Sequence, residues 1–159
     1  MVDQNKPQKV WVASDHAGVE LKASVIELLS SAVGFEVFDE GPYHADRVDY
    51  PAYAWPLSVK VAEALKRGET GFGILICGTG IGVSLVANQH PEIRAALAHN
   101  LFTAEMARRH NNANILCLGA RVIGSDLALA MVEKFANTPF DGGRHEDRLN
   151  LMRTLAKDV

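Results

Sequence analysis

Chemistry is densest between Ile74 and Gly82, where one thiol, Cys77, stands directly before three alternating glycines, Gly78, Gly80 and Gly82. The apolar run Phe72–Ile76 reads as a buried strand, the glycines as a tight turn, and Val83–Gln89 as the start of a helix. Glycine admits positive φ and lets the backbone come close to a ligand. Amides of such a turn and of the first helical turn point into one small volume, where the helix dipole adds partial positive charge. An anion suits that volume: a bound carboxylate or phosphate, or an oxyanion that forms during a reaction. The same field favours a thiolate over a thiol beside it. One stretch therefore offers a base or nucleophile next to an anion cradle. The plain structural alternative is a cluster of turn glycines beside an inert core cysteine.

Other polar residues gather around this stretch in type, if not in sequence. Asp15 and His16 sit where the first strand turns into a helix. Asp15 there either caps the helix or serves a site, and His16 either donates to a phosphate or lies on the surface. Arg144 and Arg148, four apart after Gly142-Gly143, share one face if helical, as a phosphate clamp or as a solvated charged face. His110-Asn111 falls at a helix end, where a histidine is often held by the dipole alone. His44 and His90 read as loop and helix-end residues, and Cys117 as core. Dinucleotide binding is disfavoured. The glycines follow the third strand, lack the wider final spacing, and have His99 and Asn100 where an acid for a ribose would be. No Gly-Lys-Ser/Thr occurs, which removes a P-loop, and no His or Cys pair has zinc spacing, so no metal or other cofactor is expected.

The elements that must position these residues alternate along the chain. Strands are expected at Val10–Ala13, Phe35–Asp39, Phe72–Ile76, Ile93–Ala98 and Ile115–Leu118. Helices are expected at Val19–Val33, Ala52–Lys66 after Pro51, Val83–His90, Leu101–His110, Gly124–Ala136 and His145–Ala156, with Pro56 a kink or early break in the second. Tyr43–Tyr50, with Asp46, Arg47 and Asp49, reads as loop. The pattern is that of an α/β chain, a single-domain, doubly wound, mostly parallel five-stranded sheet of Rossmann-like form. Residues 1–9 read as a tail and 10–159 as the domain. Ligands of such sheets bind beyond the carboxyl ends of the strands. That rim carries Asp15 and His16, Asp39 and Glu40, Cys77 with its glycines, His99 and Asn100, and Gly119 to Arg121.

Length and composition narrow the classes. A chain of 159 residues supports one core, and 48% hydrophobic with 22% charged residues is ordinary for a globular protein. A net charge of −3 without a Lys/Arg block argues against nucleic acid or an acidic membrane as partner. Two cysteines imply no disulfide framework, Met1–Gln8 carries no apolar signal region, and no window has the length of a membrane span. A cytoplasmic protein is expected.

Taken together in order, the motifs Ser14-Asp15-His16-Ala17-Gly18, Asp49-Tyr50-Pro51, Cys77-Gly78-Thr79-Gly80-Ile81-Gly82, Arg109-His110-Asn111, Gly119-Ala120-Arg121 and Gly142-Gly143-Arg144-His145 with Arg148 are highly specific. From about Val10 to Leu155 the chain resembles the type-B ribose-5-phosphate isomerases, in the sugar-phosphate isomerase family that includes galactose-6-phosphate isomerase subunits. The resemblance implies interconversion of ribose 5-phosphate and ribulose 5-phosphate through an enediolate, with no cofactor. It implies Cys77 as the base between C2 and C1. Some members use instead a glutamate directly after the last glycine, but Val83 stands there here. It further implies His110 in ring opening with Asp15 near the ring oxygens, and Thr79 with the amides of Gly78, Gly80, Ile81 and Gly82 on the enediolate. His16, Arg121, Arg144 and Arg148 would take the phosphate, and Asn111 and Tyr50 the sugar hydroxyls. Members are homodimers or homotetramers with shared sites, which leaves open that His110 serves a neighbour's Cys77 and that His99 exchanges roles with it. A six-carbon sugar phosphate, a non-catalytic phosphate-binding module and a cysteine hydrolase remain as alternatives.

Overall fold

A computed structural model describes residues 7–156. Residues 1–6 of the expected tail lie outside the described residues, and the first strand begins at Gln8. The strands are β1 (Gln8–Ser14), β2 (Phe35–Asp39), β3 (Gly71–Cys77), β4 (Ala95–Leu97) and β5 (Ile115–Gly119). The helices are α1 (Val19–Ser31), α2 (Pro51–Lys66), α3 (Ile81–Ala87), α4 (Leu101–Arg109), α5 (Ser125–Asn137) and α6 (Arg144–Leu155), and a single 3-10 turn, His16–Gly18, precedes α1. Sheet order is β2-β1-β3-β5-β4, and every adjacent pair is parallel rather than mostly so.

Central strands are buried on both sides, which is why Phe72–Cys77 and Ile115–Leu118 are unbroken apolar runs. Val10, Val12, Ile74, Ile76, Leu116 and Leu118 point to one face, against Leu21 and Val25 of α1, Ala104 of α4 and Met131 and Phe135 of α5. Trp11, Ala13, Leu75, Cys77, Ile115 and Cys117 point to the other, against Leu57 and Val61 of α2 and Val83 of α3. The alternation of side chains along each strand thus produces two cores from one sheet.

Three expectations shift. Helix α2 runs through Pro56 without a break. The missing N–H forfeits only the bond to the carbonyl of Ala52, and both residues are exposed, so that carbonyl stays open to solvent. Helix α3 starts at Ile81, earlier than Val83, because Gly80 turns the chain in a left-handed conformation (φ 78°) and the helix follows at once. Strand β4 shrinks to Ala95–Leu97 because side chains replace its ladder on the way in. Asn114 accepts from the Arg94 N–H and donates to the Glu92 carbonyl (both 2.8 Å), and Asn88 bonds both the N–H and the carbonyl of Ala95 (both 2.9 Å).

One consequence of the winding governs the site. Each crossover helix runs back along the sheet, so it begins at the carboxyl edge of the strands and ends at the amino edge. Helix α4 starts just after β4 and stops just before β5, which carries its last residues to the edge opposite Cys77.

Candidate functional site

At the carboxyl edge, β3 delivers Cys77 under the glycine turn. The Gly80 N–H donates to Cys77 Sγ at 3.1 Å, so the turn does aim an amide at the sulfur. Thr79 Oγ1 accepts from the Ile81 N–H (3.2 Å), which leaves the hydroxyl hydrogen free to donate outward. Among the described residues, no acceptor takes the N–H groups of Thr79 or Gly82. Cys77 is buried, 4% exposed. Cys117, two residues from the end of β5 on the same face, is fully buried. Burial pushes its thiol well above the usual range, and a charge on Cys77 pushes it further the same way, so it stays protonated.

Neighbouring elements clamp this turn. The Ala120 N–H donates to the Cys77 carbonyl (2.9 Å) and the Arg121 N–H to the Gly78 carbonyl (3.0 Å), which sets the Arg121 side chain against Gly78. Tyr50 lays its ring on Gly82, where a Cβ would come within 2.7 Å of Cζ. Asp15 is held on its backbone by the Ile76 carbonyl (2.9 Å), and its Oδ1 accepts from the Ala17 N–H (2.8 Å). It is therefore a cap, 7% exposed, with no partner for its second oxygen among the described residues. His16 Nδ1 lies 3.2 Å from the carbonyl oxygen and 3.3 Å from the nitrogen of Val48, so either tautomer ties the ring to the loop before α2. Asp15, His16, Tyr50, Cys77 to Gly82 and Arg121 are thus brought together, with His99 exposed beyond β4 on the same edge.

His110, Asn111, Arg144 and Arg148 are not brought to it. His110 caps the far end of α4, nine residues or about 13 Å from that helix's start at the Cys77 edge. The segment after α5 joins it there. The Asp141 N–H donates to the Arg109 carbonyl (3.0 Å), and the Arg108 Nε donates to the Thr138 carbonyl (3.2 Å). Helix α6 therefore starts beside His110, and His145 stacks its ring on that of His110 with centroids 4.2 Å apart and planes within 8°. Arg121, Arg144 and Arg148 are exposed and make no ion pair among the described residues.

Donor atoms of His110, Asp141 and His145 lie within 4.8 Å of one another, close enough to ask whether they hold a metal. They are poorly arranged for one. Both Asp141 oxygens accept from the Arg109 Nε (3.2 and 3.1 Å), and stacked rings direct their lone pairs alongside each other rather than to a common point.

Two residues of weight escaped sequence reasoning as site members. Gly119 closes β5 opposite Cys77, where a Cβ would come within 2.6 Å of the Thr79 carbonyl oxygen. His145 reads in sequence as one charge among several, and nothing local signals its stack. The family model described as Ribose/Galactose Isomerase matches residues 10–152. The chain belongs to that family. Ribose-5-phosphate isomerase B of Escherichia coli K12 is 38% identical over 148 residues, 93% of this chain and 96% of that one. Two solved structures are similar: Clostridium thermocellum ribose-5-phosphate isomerase B (TM-score 0.85, 45% identical, 95% and 99% covered) and Mycoplasma genitalium ribose-5-phosphate isomerase B with bound ribulose 5-phosphate (0.89, 37%, 98% and 100%). Within this member of the family, then, Cys77 with its glycine turn lies at one edge of the sheet, and His110, Arg144 and Arg148 lie at the other. No helix among the described residues is long and apolar enough to cross a membrane.

Proposed function

We propose that this chain interconverts ribose 5-phosphate and ribulose 5-phosphate, as the names of its relatives indicate for them, in a site built by two copies. The carrying observation is the Gly80 N–H on Cys77 Sγ at 3.1 Å, which puts the sulfur inside an amide-lined turn. The rest follows from what the reaction needs. Ring opening breaks the C1–O4 bond: His110 of a neighbouring copy gives a proton to O4, and the anomeric hydroxyl gives its proton to Asp15. The Cys77 thiolate then takes the proton on C2, and the negative charge gathers on O1. The Thr79 hydroxyl and the turn amides stabilise that oxygen without reorganising, which is where the largest rate gain arises. A proton passes from O2 to O1, the Cys77 thiol returns its proton to C1, and the ketose results. No metal or cofactor enters this sequence. Arg121 and His16 from one copy, with Arg144 and Arg148 from the other, take the phosphate by charge-assisted bonds, while Asn111 and Tyr50 meet the hydroxyls.

A second copy is called for because one chain cannot close the gap between its own edges. Exposed apolar residues flank both halves: Ile81, Leu85, Leu101 and Phe102 near the thiol, and Leu151, Met152 and Leu155 along α6. Two-fold pairing completes both sites at once. Free thiols at Cys77 and Cys117 suit a reducing compartment, the cytoplasm.

Complementation tests the scheme. Cys77→Ala and His110→Ala variants should each lose turnover of ribose 5-phosphate while still binding it. Re-associated as an equal mixture, they should recover about one quarter of wild-type activity, since half the pairs are mixed and each holds one intact site. Turnover by the Cys77→Ala variant alone would remove the base. Proven subunit exchange without recovered activity would remove the shared site.

A further inference from the structure

His145 is a strongly buried polar side chain at the amino edge that the reaction scheme leaves without work. It is 7% exposed, faces His110 ring to ring at 4.2 Å, and stands at the start of α6 with its N–H on the Gly142 carbonyl (3.1 Å). Its ring is therefore fixed from behind by the helix, and it stacks on one face of the His110 ring. The charged groups around the pair are Arg109 from α4, Asp141 from the segment before α6, and Arg144 and Arg148 from α6 itself. Asp141 is spent on Arg109, with Nη2 3.1 Å from Oδ2, and so is not free to orient either ring by itself.

We propose that His145 is a positioning residue for His110: an aromatic plate that fixes the plane of the His110 ring so that its edge faces the sugar of the neighbouring copy. This rests on the ring-opening role given to His110 above. A side chain at a helix end keeps rotational freedom unless something packs on it, and proton transfer to O4 requires the imidazole edge within hydrogen-bond reach. The stack supplies that constraint through shape. Protonation would oppose it. Loss of hydration is the main cause that lowers the proton affinity of His145, followed by the nearby His110, Arg144 and Arg148, while Asp141 acts weakly the other way. The plate thus stays uncharged near neutral pH.

The test separates ring opening from proton transfer at carbon. Ribulose 5-phosphate is open-chain, so exchange of its C1 hydrogen with D2O, followed by NMR, needs Cys77 but no ring opening. In the His145→Ala variant, ribose 5-phosphate turnover should fall about 10- to 100-fold, the loss typical of a misplaced catalytic group. Exchange into ribulose 5-phosphate should stay within about twofold, because the cysteine half is untouched. The His145→Phe variant, which keeps a plate without nitrogens, should recover most of the lost turnover. Full turnover by His145→Ala overturns the proposal, as does an equal fall in both assays or a His145→Phe variant no better than His145→Ala. Failure of the isomerase assignment looks different: wild-type protein would then support neither turnover nor exchange.

Discussion

Adding one methyl group at Gly119 tests whether the anion turn is held in place by close backbone contact. Gly119 ends β5 with its Cα opposite Cys77, and a Cβ there would stand 2.6 Å from the Thr79 carbonyl oxygen, 2.7 Å from its carbon and 2.9 Å from its Cα. All three are backbone atoms, so no side chain can swing aside. Ordinary contact begins near 3.4 Å, and relief from 2.6 Å therefore moves the Thr79 peptide by about 0.8 Å. That shift reaches the Thr79 hydroxyl and the Gly80 amide on Cys77 together. Displacement on the ångström scale costs about 100-fold when it affects reacting groups, so Gly119→Ala should lower kcat on ribose 5-phosphate by about 10- to 100-fold. The overpacking itself costs about 1–3 kcal/mol, within the about 5–15 kcal/mol that holds such a domain together. Kinetics on both sugars, with thermal unfolding as a control for folding, would decide. A folded Gly119→Ala enzyme with wild-type kcat would refute the claim that this contact sets the geometry of the turn.

Two further substitutions probe what holds the edges. Lys22 is 3% exposed, bonded to Asp39 and seated over the Tyr43 ring at 5.3 Å, so Lys22→Met should destabilise the chain by about 1–3 kcal/mol in urea titration. That figure is below the value for a fully buried pair because the Asp39 side chain is 33% exposed and keeps the Gly41 N–H at 2.9 Å; equal or greater stability would contradict it. Hydrogen bonds from Arg67, then Lys9, hold the Glu69 carboxyl at about 2 instead of an ordinary 4.5. A lowered acid contributes stability above its unfolded value and loses it as pH falls through the folded one, so the wild type should weaken between about pH 4.5 and 2. Glu69→Gln should flatten that acid limb, and an unchanged slope would show that Glu69 does not carry it.

How much of this was legible in the sequence depends on the distance over which each feature is set. The alternation of elements, the strand at Phe72–Ile76 and the amide-lined thiol were readable because period and glycine spacing are local. Strand β4 was read too long because Asn88 and Asn114, neither in the strand, take over its hydrogen bonds. Gly119 was legible as a rim and motif residue, but its role was not, since its constraint is a contact with residue 79 across the sheet. His145 was hidden among charges, and its stack depends on a loop that carries α6 back to the end of α4.

The strand order explains why motifs that the proposed reaction joins are apart in one chain. With β3 central and every strand parallel, the thiol is committed to the carboxyl edge. Any residue at the end of a crossover helix is committed to the other, and His110 is such a residue. No loop movement short of unwinding α4 would bring it across, whereas in the proposed pairing a second copy turned about a two-fold axis would present its amino edge to the first copy's carboxyl edge. On that scheme the exposed guanidiniums of Arg144 and Arg148 have no work in an isolated chain and become phosphate ligands only across the pair. Activity then depends on protomer concentration as well as on folding. Dilution should therefore lower specific activity before it lowers helix content, and a monomer that stays folded should still leave Cys77 in its turn with no ring-opening partner.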